Sequence, residues 1–303
     1  MNYQNNKHFV LLLLFSFWIN LSSAQVQDTI KILAIGNSFS EDATESYLCN
    51  LAKSDGIKLI VGNMYIGGCS LKSHWNNALE NKKLYSYRKI TNGVKITVEN
   101  QTLLDAIKDE DWDYITFQQV SQDSGLYNTY FPYLSNLLQY VKGNATNDNV
   151  KYALHQTWAY AANSSHSGFA NYNRDQVQMF NAIVCVVNAA SAQVGIVIII
   201  SSGTAIQNGR SRYIDDRFNR DGHHLSFGIG RYTAACTWYE KLLKKSVVGN
   251  SFIPETMTKE EAHIAQLAAH FAILNPKVVT SMVNIVPGKS MLSGIKKTSV
   301  KPL

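Results

Sequence analysis

The chain has 303 residues, of which 46% are hydrophobic and 17% are charged, and its net charge at neutral pH is +6. This length suits one α/β domain, and the apolar fraction can fill a core, so a disordered or fibrous protein is excluded. The basic residues occur singly or in short pairs, without the continuous stripe that follows a phosphate backbone. We therefore expect no nucleic-acid partner.

The first 24 residues predict a secretory signal peptide. Lys7 lies in a polar leader, the run 9–21 is almost purely apolar, and small residues up to Ala24 precede a cut before Gln25. This run is shorter than the ~20 residues of a spanning helix, with an uncleaved anchor as the alternative. No other stretch is long and apolar enough to cross a bilayer. We expect an exported protein, periplasmic or extracellular, without stable membrane insertion after cleavage.

The rest of the chain, 25–303, predicts a single domain with its core at about 29–275 and a loosely ordered tail over 276–303. Strand patterns occur, in chain order, at 29–35, 58–65, 112–119, 150–156 and 193–201, and helical patterns at 41–52, 130–141, 174–190, 228–243 and 259–274. The segment 84–98 splits at Asn92-Gly93, a hairpin signal, and is interpreted as an insertion. The segment 193–201 is the most apolar and is expected to be buried on both faces. The alternation predicts an α/β fold, a three-layer α/β/α sandwich with a mostly parallel, flavodoxin-like central sheet.

Polar residues that follow the strands should meet at one rim, because ligands bind at the carboxyl ends of parallel strands. Ser38 follows the first strand at a sharp turn into a helix, where it could be a nucleophile or merely a helix cap. Asp221 and His224 lie three residues apart in one later loop. At that offset the carboxylate can hold one imidazole nitrogen and leave the other free to act as a base. His223 is the competitor for the base.

Two blocks of sequence resemble the SGNH (GDSL-like) hydrolases. The run 35–40, Ile-Gly-Asn-Ser-Phe-Ser, is similar to their first block, and 221–226, Asp-Gly-His-His-Leu-Ser, is similar to their last. The runs 67–71, 118–122 and 155–158 resemble a bacterial branch known as domain of unknown function 4886. The resemblance covers about 32–239.

The resemblance implies roles for individual residues. Ser38 would attack an ester carbonyl, His224 would take its proton, and Asp221 would orient His224. The oxyanion hole would be formed by the main-chain N–H groups of Ser38 and Gly68 and by a side-chain amide. The usual third block is Gly-x-Asn-Asp, and here Gln122 falls on the Asn position, with Gln119 as the alternative.

Three further residues are candidates for substrate contact. Asn37 precedes the nucleophile, and Trp158 and Tyr160 follow the fourth strand, where their rings could either stack on a sugar or pack in the core. No cofactor is expected, and no metal, because His74 and His155 have no partner at ligand spacing. Four cysteines lack a CxxC pair, so disulfides and buried thiols stay open, as does the oligomeric state.

The sequence thus predicts an exported serine esterase that removes short acyl groups, acetyl first, from small-molecule or glycan esters. Two alternatives stay open, namely a non-catalytic glycan-binding module on the same fold and a lipase or thioesterase.

Overall fold

The computed structural model describes residues 29–283. The strands are β1 Ile30–Gly36, β2 Leu59–Tyr65, β3 Tyr85–Thr91, β4 Val94–Gln101, β5 Tyr114–Phe117, β6 Lys151–His155 and β7 Ile198–Ile200. The α-helices are α1 Ser38–Thr44, α2 Leu48–Ser54, α3 Leu71–Leu79, α4 Leu103–Asp109, α5 Tyr133–Asn144, α6 Gln176–Val194, α7 Ser202–Arg210, α8 Ile229–Leu243 and α9 Lys259–Leu274. The predicted signal peptide and the tail beyond 283 lie outside these residues.

The strands form one seven-stranded sheet in the order β4-β3-β2-β1-β5-β6-β7. The five strands β2, β1, β5, β6 and β7 are parallel. Strand β2 lies on one side of β1, and the later strands β5, β6 and β7 follow on the other side, so the strand order reverses at β1. Helices α3, α4 and α5 pack together as one group, and α1, α2, α7, α8 and α9 as another. The predicted α/β/α sandwich with a flavodoxin-like parallel core is confirmed.

The hairpin was predicted as an insertion, and the structure corrects this interpretation. Strand β3 pairs antiparallel with β2, and β4 pairs with β3, so the hairpin extends the main sheet by two strands. The turn at Asn92-Gly93 has a positive φ at both residues, as a two-residue hairpin turn requires. In β3, Tyr85, Tyr87 and Ile90 are buried in the core.

The predicted strand over 193–201 is wrong in both length and burial. Helix α6 continues to Val194 and ends at Gly195 in the left-handed conformation, which leaves only Ile198–Ile200 for β7. This strand is at the edge of the sheet, and Val197 beside it is 90% exposed. An apolar run of this length is compatible with a helix end and with a strand, and the glycine decides the boundary.

The helix predicted over 41–52 is two helices, α1 and α2, with a break at 45–47. Helix α1 also begins earlier than predicted, at Ser38, because the Asn37 side chain caps it. At the break the Glu45 carboxylate accepts hydrogen bonds from Asn63 and Arg88.

Helix α6 is the one helix within 29–283 that is long and apolar enough to span a membrane. This contradicts the prediction that no such stretch follows the leader. However, its inner face, with Met179, Phe180 and Ile183, is buried in the protein core.

The four cysteines are all free, and Cys69 and Cys236 are buried. The described part of the predicted loose tail is held in place, since Thr280 donates its N–H to Asn208 at 2.7 Å and Met282 is buried.

Candidate active site

The carboxyl ends of β1, β2 and β5 meet at the point where the sheet order reverses, and a cleft of about 240 Å³ lies there. Most of the predicted site residues line it. Its walls are formed by Asn37, Ser38, Phe39, Tyr65, Gly67, Gly68, Val120, Ser121, Gln122, His166, His223 and His224.

Ser38 is the first residue of α1, and the side chain of the residue before it is fixed by three hydrogen bonds. The Asn37 side chain accepts the Phe39 N–H at 3.0 Å and an amide N–H of Gln118 at 2.7 Å. It donates to the Cys69 carbonyl at 2.9 Å. Asn37 therefore joins the loops that follow β1, β2 and β5, and it determines where Ser38 stands.

A buried chain of neutral side chains continues from Asn37. The Phe39 N–H requires the Asn37 oxygen at that position, so Gln118 must donate through Nε2 and accept through Oε1. Oε1 in turn accepts Nδ1–H of His155 at 2.8 Å, and His155 Nε2 accepts the Ser202 hydroxyl at 3.0 Å. Burial lowers the pKa of His155 to about 3, so the imidazole is neutral at physiological pH.

The candidate base is paired with its carboxylate as the sequence predicts. Asp221 Oδ2 lies 2.7 Å from His224 Nδ1, and Asp221 Oδ1 accepts the main-chain N–H groups of His224 at 2.7 Å and His223 at 3.1 Å. Burial alone would raise the pKa of Asp221, but these bonds and the nearby imidazole hold it well below its usual range. The carboxylate is therefore ionised, and it keeps the proton of His224 on Nδ1, which leaves Nε2 free.

Gly222 allows the tight turn between these two residues. Its φ is +86°, and a Cβ at this position would lie about 3.1 Å from Ser164. A side chain here would therefore be strained by its backbone and crowded by its neighbour.

An ion-pair cluster connects the base loop to helix α1. Asp42 is fully buried, and its carboxylate accepts from Arg220 at 3.1 Å, from Arg231 at 2.6 Å and from the Leu225 N–H at 2.7 Å. The helix that begins with Ser38 thus holds the loop that carries His224. Asp42 was not among the residues predicted from the sequence, where its only signal is an acidic residue four positions after the candidate nucleophile.

Three hydrogen-bond donors belong to residues that line the cleft and have no acceptor among residues 29–283. They are the main-chain N–H groups of Ser38 and Gly68 and the side-chain amide of Gln122. By contrast, the amide of Gln119 is fully used, since it accepts from Leu71 and Val120 and donates to Thr129. The geometry favours Gln122 over Gln119 as the oxyanion-hole amide.

The substrate contacts predicted for three residues are corrected by their burial. Trp158 and Tyr160 are both fully buried. Trp158 stacks on Phe39 at 4.3 Å and donates to the His223 carbonyl, and Tyr160 is hydrogen-bonded to Ser121 at 2.7 Å. Asn37 is 1% exposed, and its side-chain hydrogen bonds are the internal ones described above. Of the three, only Asn37 lines the cleft, whereas Trp158 and Tyr160 are packed in the core.

Two further cleft residues, Tyr65 and His166, were not predicted from the sequence. Tyr65 ends β2 and is covered by the Arg88 guanidinium at 3.6 Å. His166 lies in the loop after β6, and its ring centroid is 4.9 Å from that of His223. No spacing rule indicates either residue, because only the fold brings these loops together.

The one group of potential metal ligands in the described chain overlaps the candidate base, since donor atoms of Asp221, His223 and His224 lie within 4.8 Å of one another. An ion here would compete with His224 for the Asp221 carboxylate. His74 and His155 are buried away from this group, where they are hydrogen-bonded to Tyr85 and Gln118, respectively.

Comparison with known proteins identifies the family. Residues 31–272 match the model of the domain of unknown function DUF4886. A DUF4886 family protein from Bacteroides uniformis is 48% identical, with a TM-score of 0.83 over 84% of this chain and 98% of its own. None of the curated proteins matches the chain.

Two more distant solved structures are also similar to the chain, at lower identity. A provisionally assigned SGNH hydrolase from Slackia heliotrinireducens is 20% identical, with a TM-score of 0.49 over 71% of this chain and all of its own. An acetylxylan esterase from Geobacillus stearothermophilus is 12% identical, with a TM-score of 0.45 over 75% and 97%. The chain therefore belongs to the DUF4886 family, as the resemblance of its motifs to that family predicted.

Proposed function

We propose that this protein is a serine esterase that hydrolyses short acyl esters through an acyl-Ser38 intermediate. One observation carries the proposal. His224, whose Nδ1 lies 2.7 Å from Asp221 Oδ2, lines the same cleft as Ser38 and three hydrogen-bond donors that have no acceptor within 29–283. A nucleophile, an oriented base and an oxyanion site are the three parts that acyl transfer needs.

Each part has a defined role in the reaction. His224 Nε2 takes the proton of the Ser38 hydroxyl as its oxygen attacks the ester carbonyl, and the negative oxygen that forms is bound by the N–H donors. The bond to the alcohol then breaks, and His224 returns the proton to the leaving oxygen. Water, deprotonated by His224, attacks the acyl-enzyme and releases the acid. Asp221 stays ionised and stabilises the imidazolium in both steps.

The size of the cleft supports a short acyl group, with acetyl as the first candidate. Its volume of about 240 Å³ is below the ~300–1,000 Å³ of pockets that enclose drug-sized ligands. A long acyl chain would need a wide apolar surface, whereas the apolar walls of this cleft are limited to Phe39, Tyr65 and Val120, among glycines, imidazoles and polar side chains. This is why we prefer an esterase to a lipase or thioesterase.

An adjoining groove supports a polar alcohol, and a carbohydrate in particular. It begins at Asp221 and Gly222, has a volume of about 590 Å³ and includes Ser164, Tyr213 and Arg217. Tyr213 is 57% exposed and offers an aromatic surface among polar side chains. An exported deacylase of glycan esters, in the periplasm or outside the cell, fits both this groove and the predicted signal peptide.

The proposal is tested by measuring the hydrolysis of p-nitrophenyl acetate and butyrate by the mature protein and by Ser38→Ala. We expect wild-type turnover to be faster with acetate, and the variant to fall to background. Ser246→Ala is the matched control, since this exposed serine lies beyond α8 near the amino ends of β5 and β6. A fluorophosphonate should add its mass to Ser38 alone.

If wild type and Ser38→Ala both hydrolyse these esters only at the background rate, and the fluorophosphonate leaves Ser38 unlabelled, the esterase proposal is refuted. A glycan array on the same two proteins would then examine the alternative, a non-catalytic glycan-binding module.

A further inference from the structure

Two imidazoles in the cleft have no role in the proposed reaction. His166 and His223 line the cleft together with His224, and the His223 ring centroid lies 4.9 Å from that of His166 and 4.0 Å from that of His224. The chain thus places a pair of histidines directly beside the candidate base.

The hydrogen bonds of these two rings fix where their protons are. Nδ1 of His166 accepts the Gly168 N–H at 3.1 Å, so its proton is on Nε2. Nδ1 of His223 lies 3.2 Å from Asp221 Oδ1 and 3.4 Å from the Asp221 carbonyl, both of which only accept, so its proton is on Nδ1. His166 therefore offers an Nε2–H donor, and His223 offers a bare Nε2 acceptor.

Both imidazoles are neutral at physiological pH. Burial lowers the pKa of His166 and of His223, and the charge that His224 can carry lowers both pKa values further. Neither side chain makes a hydrogen bond through Nε2 to any residue between 29 and 283. The Nε2–H donor of His166 and the Nε2 acceptor of His223 are thus free to bind a ligand.

The rings are also held in place before a ligand arrives. The buried ring of Tyr160 contacts both, with centroids 4.9 Å from His166 and 5.8 Å from His223. The backbone of the His166 loop packs so closely on Gln122 that a Cβ on Gly168 would lie 2.2 Å from Gln122 Cβ. A site with fixed groups loses less conformational entropy when a ligand binds.

We infer that His166 and His223 form a subsite for a hydroxyl group of the substrate's alcohol half. This inference rests on the proposed esterase and extends it to a substrate class, namely monoesters of alcohols that carry a second hydroxyl close to the ester oxygen. One hydroxyl can accept from His166 Nε2–H and donate to His223 Nε2 at the same time, as no alkyl group can.

The position of the pair explains why the alcohol half, rather than the acyl half, is bound. His224 returns its proton to the leaving alcohol oxygen, so the space next to His224 belongs to the alcohol. His223 is its immediate neighbour, and the polar groove that begins at Asp221 continues on the same side. A vicinal hydroxyl of a sugar or a polyol satisfies this arrangement.

Two esters of nearly equal shape test the subsite, namely 2-hydroxyethyl acetate and propyl acetate. Their kcat/KM values, each divided by the rate of alkaline hydrolysis, are compared for wild type, His166→Phe and His223→Phe. We expect wild type to prefer the hydroxy ester by about tenfold or more, because a site built for a hydroxyl rejects the analogue that lacks it. Each variant should lose most of this preference, and His223→Gln should restore part of it.

A preference that persists in both phenylalanine variants, or a wild type that hydrolyses both esters equally, would overturn the subsite while leaving the esterase intact. If wild type hydrolyses neither ester, fluorophosphonate labelling of Ser38 decides whether the esterase itself fails. The subsite is then decided by saturation-transfer NMR with the same two esters on Ser38→Ala, with and without His166→Phe. Binding of the hydroxy ester that depends on His166 supports it, and binding that does not depend on His166 refutes it.

Discussion

The two halves of the candidate site are held in different ways. The nucleophile half is fixed by buried neutral groups, which run from Asn37 through Gln118 and His155 to Ser202. The base half is an exposed loop fixed by charges, chiefly those of Asp42 and the two arginines that it binds. A neutral buried network is rigid but vulnerable to protonation, whereas an ion-pair cluster is vulnerable to the loss of one charge.

The variant with the largest expected effect is Asp221→Asn, in the half of the site that carries the base. We expect kcat for p-nitrophenyl acetate to fall by about 10³–10⁴, because an amide can present N–H to Nδ1 and stabilise the wrong tautomer of His224. Asp148→Asn, at an exposed turn, is the control and should match wild type. A loss below about tenfold would show that Asp221 is not the orienting group.

The connection between the halves is tested by Asp42→Asn. Removing one charge from a buried cluster leaves two arginines facing an amide, and we expect the free energy of unfolding to fall by about 3 kcal/mol. Urea denaturation measures it. Glu41→Gln is the matched control, since this carboxylate is more exposed, lies 3.5 Å from Arg231 and should contribute less than about 1 kcal/mol. Equal losses for the two variants would contradict the special role of Asp42.

The oxyanion amide is tested on the nucleophile side of the cleft. Gln122→Ala should lower kcat by about 10- to 100-fold with little change in melting temperature, because its amide makes few internal contacts. Gln119→Ala should do the opposite, since all of its hydrogen bonds are internal. If Gln119→Ala costs the activity instead, the oxyanion role moves to Gln119.

The sequence is informative wherever function depends on local spacing. Asp221 and His224 are three residues apart, and Ser38 follows a strand, so both could be found without a structure. The Asp42 cluster joins residues more than 170 positions apart, and His166 reaches the cleft on a loop with no motif. The burial of Trp158 could not be predicted either, because an aromatic residue at a rim and one beneath it have the same sequence pattern.

The smallest expected effect is a difference between the two halves in how the free energy of unfolding depends on pH. His155 is buried, and its pKa falls to about 3 in the folded protein, against about 6.5 when unfolded. The unfolded chain therefore binds the extra proton between these values, so the stability that His155 contributes is complete above pH 6.5 and is lost as the pH falls toward 3. His74, with a pKa of about 4, acts in the same direction.

We expect the free energy of unfolding to decrease by about 1 kcal/mol for His155 between pH 6.5 and 5.5. His155→Gln, which retains an amide donor and acceptor, should flatten this part of the curve. Asp42→Asn should shift the whole curve downward and leave its slope unchanged. If His155→Gln leaves the slope as in wild type, the neutral network of the nucleophile half is not what acid disrupts, and His74 becomes the group responsible.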